Sequence, residues 1–462
     1  MDYGKTTNDT LYESSGSWLR FRTSSQPLPV GTIRVGFMVG HNSDHNLKTV
    51  DPTGVLTNRG TWTYVGVGNS DYTESIEWQS QVWDFQLNVN ITDWSYLFAD
   101  NILMLTDVVG INIIDANAYG VNTMEGMFKN SYINNILSIR NTESCLNTSY
   151  MFFHVVTNVH PSIQGVHFTA PNCTDASYMF YGRDLDVTWD YPNDRYEFSA
   201  TGNCVDMSYM FYNVQFNDSS YSRRPPYLDM SSCVNASYMF YDSNIKEFPY
   251  DTSNVQNMSH MLDSADKITG FLNISLASCT NAESLFANCR FTSISPLDIS
   301  HCTNTKRMFY SCILLEQVSL TSACLTETTE QMFYACRVLK SVPLFDTSRS
   351  TTVYQMFVQC WALEAIPLFD TSNATTGNGF AMGAHVITQI PLINTSKMTD
   401  VAYMFDGCYM VESGALALYN QMSTQASPPS RHDSAFRNCG RDTASGSAEV
   451  AQIPTSWGGT QA

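Results

Sequence analysis

Positive charge is scarce in this chain of 462 residues: 24 Lys and Arg stand against 43 Asp and Glu, for a net charge of -19. Attraction to nucleic acid or to an anionic lipid surface would have to overcome that repulsion, so neither is an expected partner. Long apolar runs are missing as well. Those present, such as Met151 to Val156, fall far short of a bilayer span, which predicts no membrane insertion. The start, Met1-Asp2-Tyr3-Gly4-Lys5, has neither the basic region nor the apolar stretch of a secretory signal, and predicts a product first soluble in a cytosol. Charged residues of both signs make up only 15%, where ordinary globular chains carry about 25%. Hydrophobic residues reach 43% and aromatics 13%, so an ordered chain with a sizeable core is expected. Also absent are a P-loop, a GxGxxG following a strand, HExxH, GxSxG and any CxxC zinc pattern. The expectation is a chain that is not an enzyme, with no catalytic, cofactor-binding or metal-ligating residues and no cofactor.

What is abundant is a repeat. A dipeptide ending in Phe or its stand-in recurs at Phe98, Phe128, Phe152, Phe180, Phe211, Phe240, Leu262, Phe286, Phe309, Phe333, Phe357, Phe405 and Phe436, with a degenerate fourteenth copy at Ala381. Phe309, Phe333 and Phe357 are 24 residues apart, whereas Phe152 to Phe240 step by 28, 31 and 29, so the period carries insertions.

With each anchor numbered zero, the thirteen cysteines fall into ladders. Cys145, Cys173, Cys204, Cys233, Cys279 and Cys302 lie at -7, and Cys289, Cys312, Cys336, Cys360, Cys408 and Cys439 lie at +3; Cys324, at -9, is the exception. Small or apolar residues at -4, such as Met124, Ala176, Met207, Ala236, Met258 and Ala282, complete a stripe at -7, -4, 0 and +3. That spacing predicts one face of a short helix. Asn at -5 with Ser at -3, as in Asn147 and Ser149, suits capping of that helix, although the same triplets also read as glycosylation sequons. Small, soft thiols pack well where neighbouring copies approach closely, and disulfides between copies are the rival reading.

A second pattern follows at +6, +9 and +11: Leu315, Val318, Leu320; Leu339, Val342, Leu344; Leu363, Ile366, Leu368; Ile387, Ile390, Leu392. This is LxxLxL, the strand signature of leucine-rich repeats, and a Phe-Asp-Thr-Ser turn follows it at 345 to 348 and 369 to 372. The fold class expected is therefore an α/β repeat: a leucine-rich-repeat-like solenoid of short helix plus strand coils, about fourteen coils over 81–440, preceded by a small β domain. Stacked strands lie ~4.8 Å apart, so such a solenoid would extend on the order of 65 Å. No coil could bury its apolar face alone.

The run Asp251-Thr-Ser-Asn-Val-Gln-Asn-Met-Ser-His-Met-Leu262, the repeated Ser-Tyr-Met-Phe at 177–180, 208–211 and 237–240, and Ile-Pro-Leu-Phe-Asp-Thr-Ser at 366–372 closely resemble BspA-like leucine-rich repeats. The resemblance covers about 80 to 440. Such repeats occur in bacterial and protozoan surface proteins and in tail or virion proteins of tailed bacteriophages, and the resemblance implies adhesion and protein contact.

Residues 1–80 lack the repeat. Alternation at Ile33, Val35, Phe37 and Val39 and at Trp83, Phe85, Leu87 and Val89 predicts a small β-rich domain that acts as cap or anchor. Residues 441–462 read as a C-terminal tail, rich in Ser, Thr and Gly and similar to the tails of phage fibre proteins.

Two insertions carry the candidate binding surface. Asp186 to Glu197 holds Trp189, Tyr191 and Tyr196, and Phe216 to Tyr227 holds Tyr221, Arg223, Arg224 and Tyr227. Aromatics and Arg are the usual anchors of interfaces. The bland alternative is that both loops fold over the solenoid and bury their own rings. Carboxylates beside sugar-stacking rings in 186–197 also admit glycoside hydrolysis, and His41, Asp44 and His45 admit a metal, although a solvated loop explains each.

The expected function is a non-enzymatic structural or adhesive virion protein of a tailed bacteriophage, a fibre or tail component, made in the host cytoplasm. Its partners would be other virion proteins, a host surface glycan or protein, and further copies in a homo-oligomer. The alternatives are a cell-surface leucine-rich-repeat adhesin and, behind it, a polysaccharide-degrading enzyme.

Overall fold

The computed structural model describes residues 10–12, 21–23, 28–40, 56, 58–68, 78–100, 108–131, 133–136, 138–155, 168–182, 198–200, 202–215, 228–268, 274–321 and 323–460. The chain forms two compact units, Met1–Cys233 and Val234–Ala462.

The first unit begins with an antiparallel pair, β1 (Thr10–Tyr12) and β2 (Phe21–Thr23). A five-stranded sheet follows, built from β3 (Thr32–Gly40), β4 (Gly60–Gly68), β5 (Trp78–Leu87), β6 (Val108–Ala116) and β7 (Ile133–Ile136) in the order β4-β5-β3-β6-β7. All neighbours are antiparallel except β6 and β7. Alternation along the strands decides the faces. Ile33 and Val35 lie opposite Phe85 and Trp83, all buried, while Arg34 and Asp84 between them pair at 2.7 Å on the other face. Val89 lies beyond β5 and is exposed. Since β5 straddles residue 80 and β6 and β7 belong to repeats, the sheet runs through the domain boundary expected there. A short parallel pair, β8 (Phe168–Ala170) with β9 (Phe198–Ala200), joins two later repeats.

The repeats in each unit stack by backbone hydrogen bonding in a fixed register. N–H groups at -4, -2, 0 and +2 donate to carbonyls at -5, -3, -1 and +1 of the following copy: Thr329 to Thr352, Gln331 to Tyr354, Phe333 to Met356 and Ala335 to Val358. The intervening N–H groups at -1, +1 and +3 donate within the copy to carbonyls at -4, -2 and 0.

This alternation overturns the short helix expected at -7 to +3. Residues at -2 and +2 take the left-handed conformation, as in Gln331 (φ 54), Ala335 (φ 59), Gln355 (φ 51) and Gln359 (φ 58), so the chain proceeds as linked turns. Half of its N–H groups are thereby freed for the neighbour. The apolar stripe at -7, -4, 0 and +3 is buried as expected, but Met at -1 is buried with it, as Met308, Met332 and Met356 show. The anchor rings stack face to face, Phe309 on Phe333 at 5.5 Å and Phe333 on Phe357 at 5.7 Å. In the degenerate copy, Phe380 at -1 stands in for the ring missing at Ala381 and meets Phe357 edge-on at 5.5 Å. At -5, Asn and Asp cap a turn, with Asn147 Oδ1 accepting the Ser149 N–H at 2.8 Å and Asp175 Oδ1 that of Ser177 at 2.9 Å.

The LxxLxL segment also departs from expectation. Its backbone makes isolated parallel bridges, such as Gln317 to Ser341, and not continuous strands. Positions +6 and +9 are buried, but at +11 Leu344, Leu368 and Leu392 point to solvent while Phe345, Phe369 and Ile393 at +12 enter the core. The cause is a three-residue turn. Phe369 N–H donates to the Pro367 carbonyl and Ile393 N–H to that of Pro391, each at 2.9 Å, which breaks the two-residue alternation at the leucine between them.

The C-terminal segment is ordered. Helices α1 (Ala415–Thr424) and α2 (Ala444–Val450) and a 3-10 turn (Thr455–Trp457) close the second unit, and Phe436 N–H donates to the Trp457 carbonyl, taking the bond that a following copy would accept. The tail expected at 441–462 is thus a cap through residue 460, as repeat stacks require.

Candidate binding surfaces

Fixed register turns any residue type repeated at one position into a continuous track. In the first unit the tracks at -2 and +1 are aromatic. Tyr150, Tyr178 and Tyr209 stack in sequence at 4.6 and 4.4 Å, and Phe153, Tyr181 and Tyr212 at 4.8 and 4.6 Å. All six are half-buried. Their faces cover one another, so ring edges and hydroxyls meet the solvent. Burial pushes the Tyr178 hydroxyl up to about 12, helped by the neighbouring Tyr209 and Tyr150, so the phenol stays a hydrogen-bond donor at neutral pH.

The track has a defined beginning. Gly126 occupies -2 in the second copy, and a Cβ there would lie 2.4 Å from the Tyr96 ring, which leans across it. Tyr96 donates to Glu125 at 2.5 Å, and that bond first, then burial, raises its hydroxyl to about 12. Lys129 at +1 places its ammonium 5.2 Å from the Tyr150 ring centre and 5.1 Å from that of Phe153, a cation held by the ring quadrupoles.

In the second unit position +4 carries a different track. The Arg337 guanidinium sits 4.6 Å from Trp361; Trp361 and His385 are parallel at 6.0 Å, His385 and Tyr409 at 4.8 Å, and Arg441, at +5 of the last copy, covers Tyr409 at 4.0 Å. Burial, then the charge of Arg441, lowers the His385 pKa, which keeps a third cation out of the stack near neutral pH. Exposed Leu314, Val338, Val386 and Met410 run alongside at +5.

The residues singled out from sequence, Trp189, Tyr191, Tyr196, Tyr221, Arg223, Arg224 and Tyr227, all lie outside the described residues, as do His41, Asp44 and His45. The tracks themselves carried a signal in the repeated Ser-Tyr-Met-Phe-Tyr string, where the Tyr on each side of Met-Phe recurs with the anchor. A helical reading hid it. On a helix -2 and +1 would merely share the solvated side, whereas stacked turns hold each type in contact with its own kind. Among the described residues no three His, Cys, Asp or Glu side chains group as metal ligands, and no helix is long and apolar enough to cross a membrane.

Copies that bond in parallel register, bury an apolar anchor at the same position with thiols in most of them, and display side-chain tracks define a repeat protein. The family model described as Mycoplasma protein of unknown function, DUF285, matches residues 92–223, 205–324 and 327–427, and the chain belongs to that family. No curated protein and no solved structure matches it.

Proposed function

We propose that this chain is a non-enzymatic adhesive scaffold, a leucine-rich-repeat-like solenoid that meets macromolecular partners through its exposed tracks. The supporting observation is the stacked tyrosine pair of tracks at 150 to 212. Rings that stack on one another lose little freedom when a partner arrives, and a row of phenol edges offers apolar contact and hydrogen bonding together. The setting implied by the sequence resemblance is the fibre or tail of a tailed bacteriophage. A second reading, a cell-surface adhesin, rests on the same sequence resemblance, and the matching family is described from a bacterium, Mycoplasma, with no function given.

One antibody experiment separates these. Labelling of purified phage particles supports the first setting, and labelling of intact uninfected cells supports the second. Protein found in neither place, only free inside cells, would overturn the adhesive reading.

A further inference from the structure

Leu344, Leu368 and Leu392 are 57%, 62% and 56% exposed, and among the described large apolar residues only Tyr119 is more so. Single exposed leucines need no explanation, but three at one register position of consecutive copies form a stripe. The copies are adjacent, because Thr347 donates to the Asp370 carbonyl and Thr371 to that of Asn394, each at 2.7 Å. The stripe is also built. The Pro-Leu turn at Pro367 and Pro391 holds the leucine outward while the next residue is locked in the core, so the leucines cannot rotate inward to hide.

Charge along the margins is net negative. Segments 340–346, 364–370 and 388–394 contain the carboxylates Asp346, Glu364 and Asp370 against the single cation Lys340, which bonds Glu316 at 2.9 Å. All three carboxylates are exposed. A second copy presenting the same face would bring like charges together, whereas a basic apolar partner is complementary.

Spacing selects the partner's conformation. Rings one copy apart in this region lie 4.8 to 6.0 Å from each other, with Tyr310 and Tyr334 at the near end, Phe345 and Phe369 beside the stripe at 5.1 Å, and Trp361 and His385 at the far end. A helix laid along the stacking direction returns a side chain to the same face every turn, about 5.4 Å, and so drifts by about 1 Å over the two steps of the stripe. An extended strand returns one every ~6.6 Å and would be out of step by about 3 Å at the Phe345–Phe369 spacing.

We infer that the Leu344–Leu368–Leu392 stripe is a docking site for an amphipathic helix of another protein, with apolar residues at i, i+3 or i+4 and i+7 and Lys or Arg along its flanks. The inference does not depend on the setting proposed above. The test uses the full chain and three fluorescein-labelled synthetic peptides: a Leu/Lys amphipathic helix, a scrambled peptide of the same composition, and a Leu/Glu analogue. Anisotropy titrations should show the Leu/Lys helix binding at least about tenfold tighter than either control, and weaker as salt rises. The variant L344S/L368S/L392S, its fold checked by its melting curve, should lose at least about tenfold in affinity. D346N/D370N should keep binding but lose much of its salt dependence. Equal affinity for the scrambled peptide, or undiminished binding by the serine variant, would overturn the inference. So would wild-type self-association that the serine variant abolishes, since the stripe's occupant would then be a second copy.

Discussion

The thiol of Cys336 donates to the carbonyl oxygen of Phe309 at 3.1 Å, one copy earlier, and the same oxygen accepts the Cys312 N–H at 3.2 Å. Cys312, Cys360 and Cys408 repeat the bond with Phe286, Phe333 and Ala381. The thiol thus satisfies the second lone pair of a buried carbonyl, which explains the +3 ladder beyond mere small size. All thirteen cysteines are buried as thiols, and burial pushes Cys336 up to about 12. Thiol titration should therefore find thirteen reactive groups in denatured, unreduced protein and almost none within minutes in the native state. A denatured count near one would mean paired cysteines.

Phe333 is fully buried between the rings of Phe309 and Phe357. Replacing it with Ala removes a stacked aromatic from a core that cannot collapse without breaking register, and should cost ~3 to 5 kcal/mol in denaturant unfolding. Leu368→Ser, on the outward stripe of the next copy, should stay within ~0.5 kcal/mol. Equal costs would refute the inward and outward assignments at +11 and +12.

The part of the fold legible in the sequence was the part governed by burial. Anchor rings, thiol ladders and the positions -4, +6 and +9 all announce themselves through hydrophobicity, whose repeat any stacked architecture must show. The backbone path was not legible, because -7, -4, 0 and +3 fit a helical face as well as they fit linked turns. What decides between them is the left-handed residue at -2 and +2, and the chain fills those places with Tyr, His, Arg, Gln, Ser and Asn as readily as with Gly. Those residues are held by hydrogen bonds to the next copy, a tertiary cause that local propensity does not contain. The exposed leucine at +11 was missed for a similar reason: LxxLxL presumes two-residue alternation, and a three-residue turn after Pro inverts it.

Gln359 gives a sign test of that backbone. Its φ is 58, and its side chain is only half-buried. In a helix, Gly would cost ~1 kcal/mol and Val somewhat less. In the left-handed region the order reverses: Gln359→Gly should be neutral or stabilising by less than ~1 kcal/mol, and Gln359→Val should cost ~1 to 2 kcal/mol. Chemical denaturation of the two variants reads the order directly. A costly glycine and a tolerated valine would restore the helix.

Acid sensitivity should trace to the aspartates of the turns between copies. The Ser372 hydroxyl, then its N–H, holds Asp370 below the usual carboxylate range, and the Ser300 hydroxyl and N–H do the same for Asp298, with Thr321 adding to it. A carboxylate whose pKa is depressed by folding contributes stability that is fully present above its unfolded value near ~3.9 and lost as pH falls through the folded value. The melting temperature should therefore hold steady from neutral pH to about 5 and decline below about 4. In D298N/D370N the amide oxygens can still accept the serine N–H groups while nothing titrates, so the variant should start slightly less stable at neutral pH and decline less on acidification. Both sites are solvent-exposed, which keeps each contribution small. An acid decline identical in wild type and variant would refute the assignment to these two aspartates.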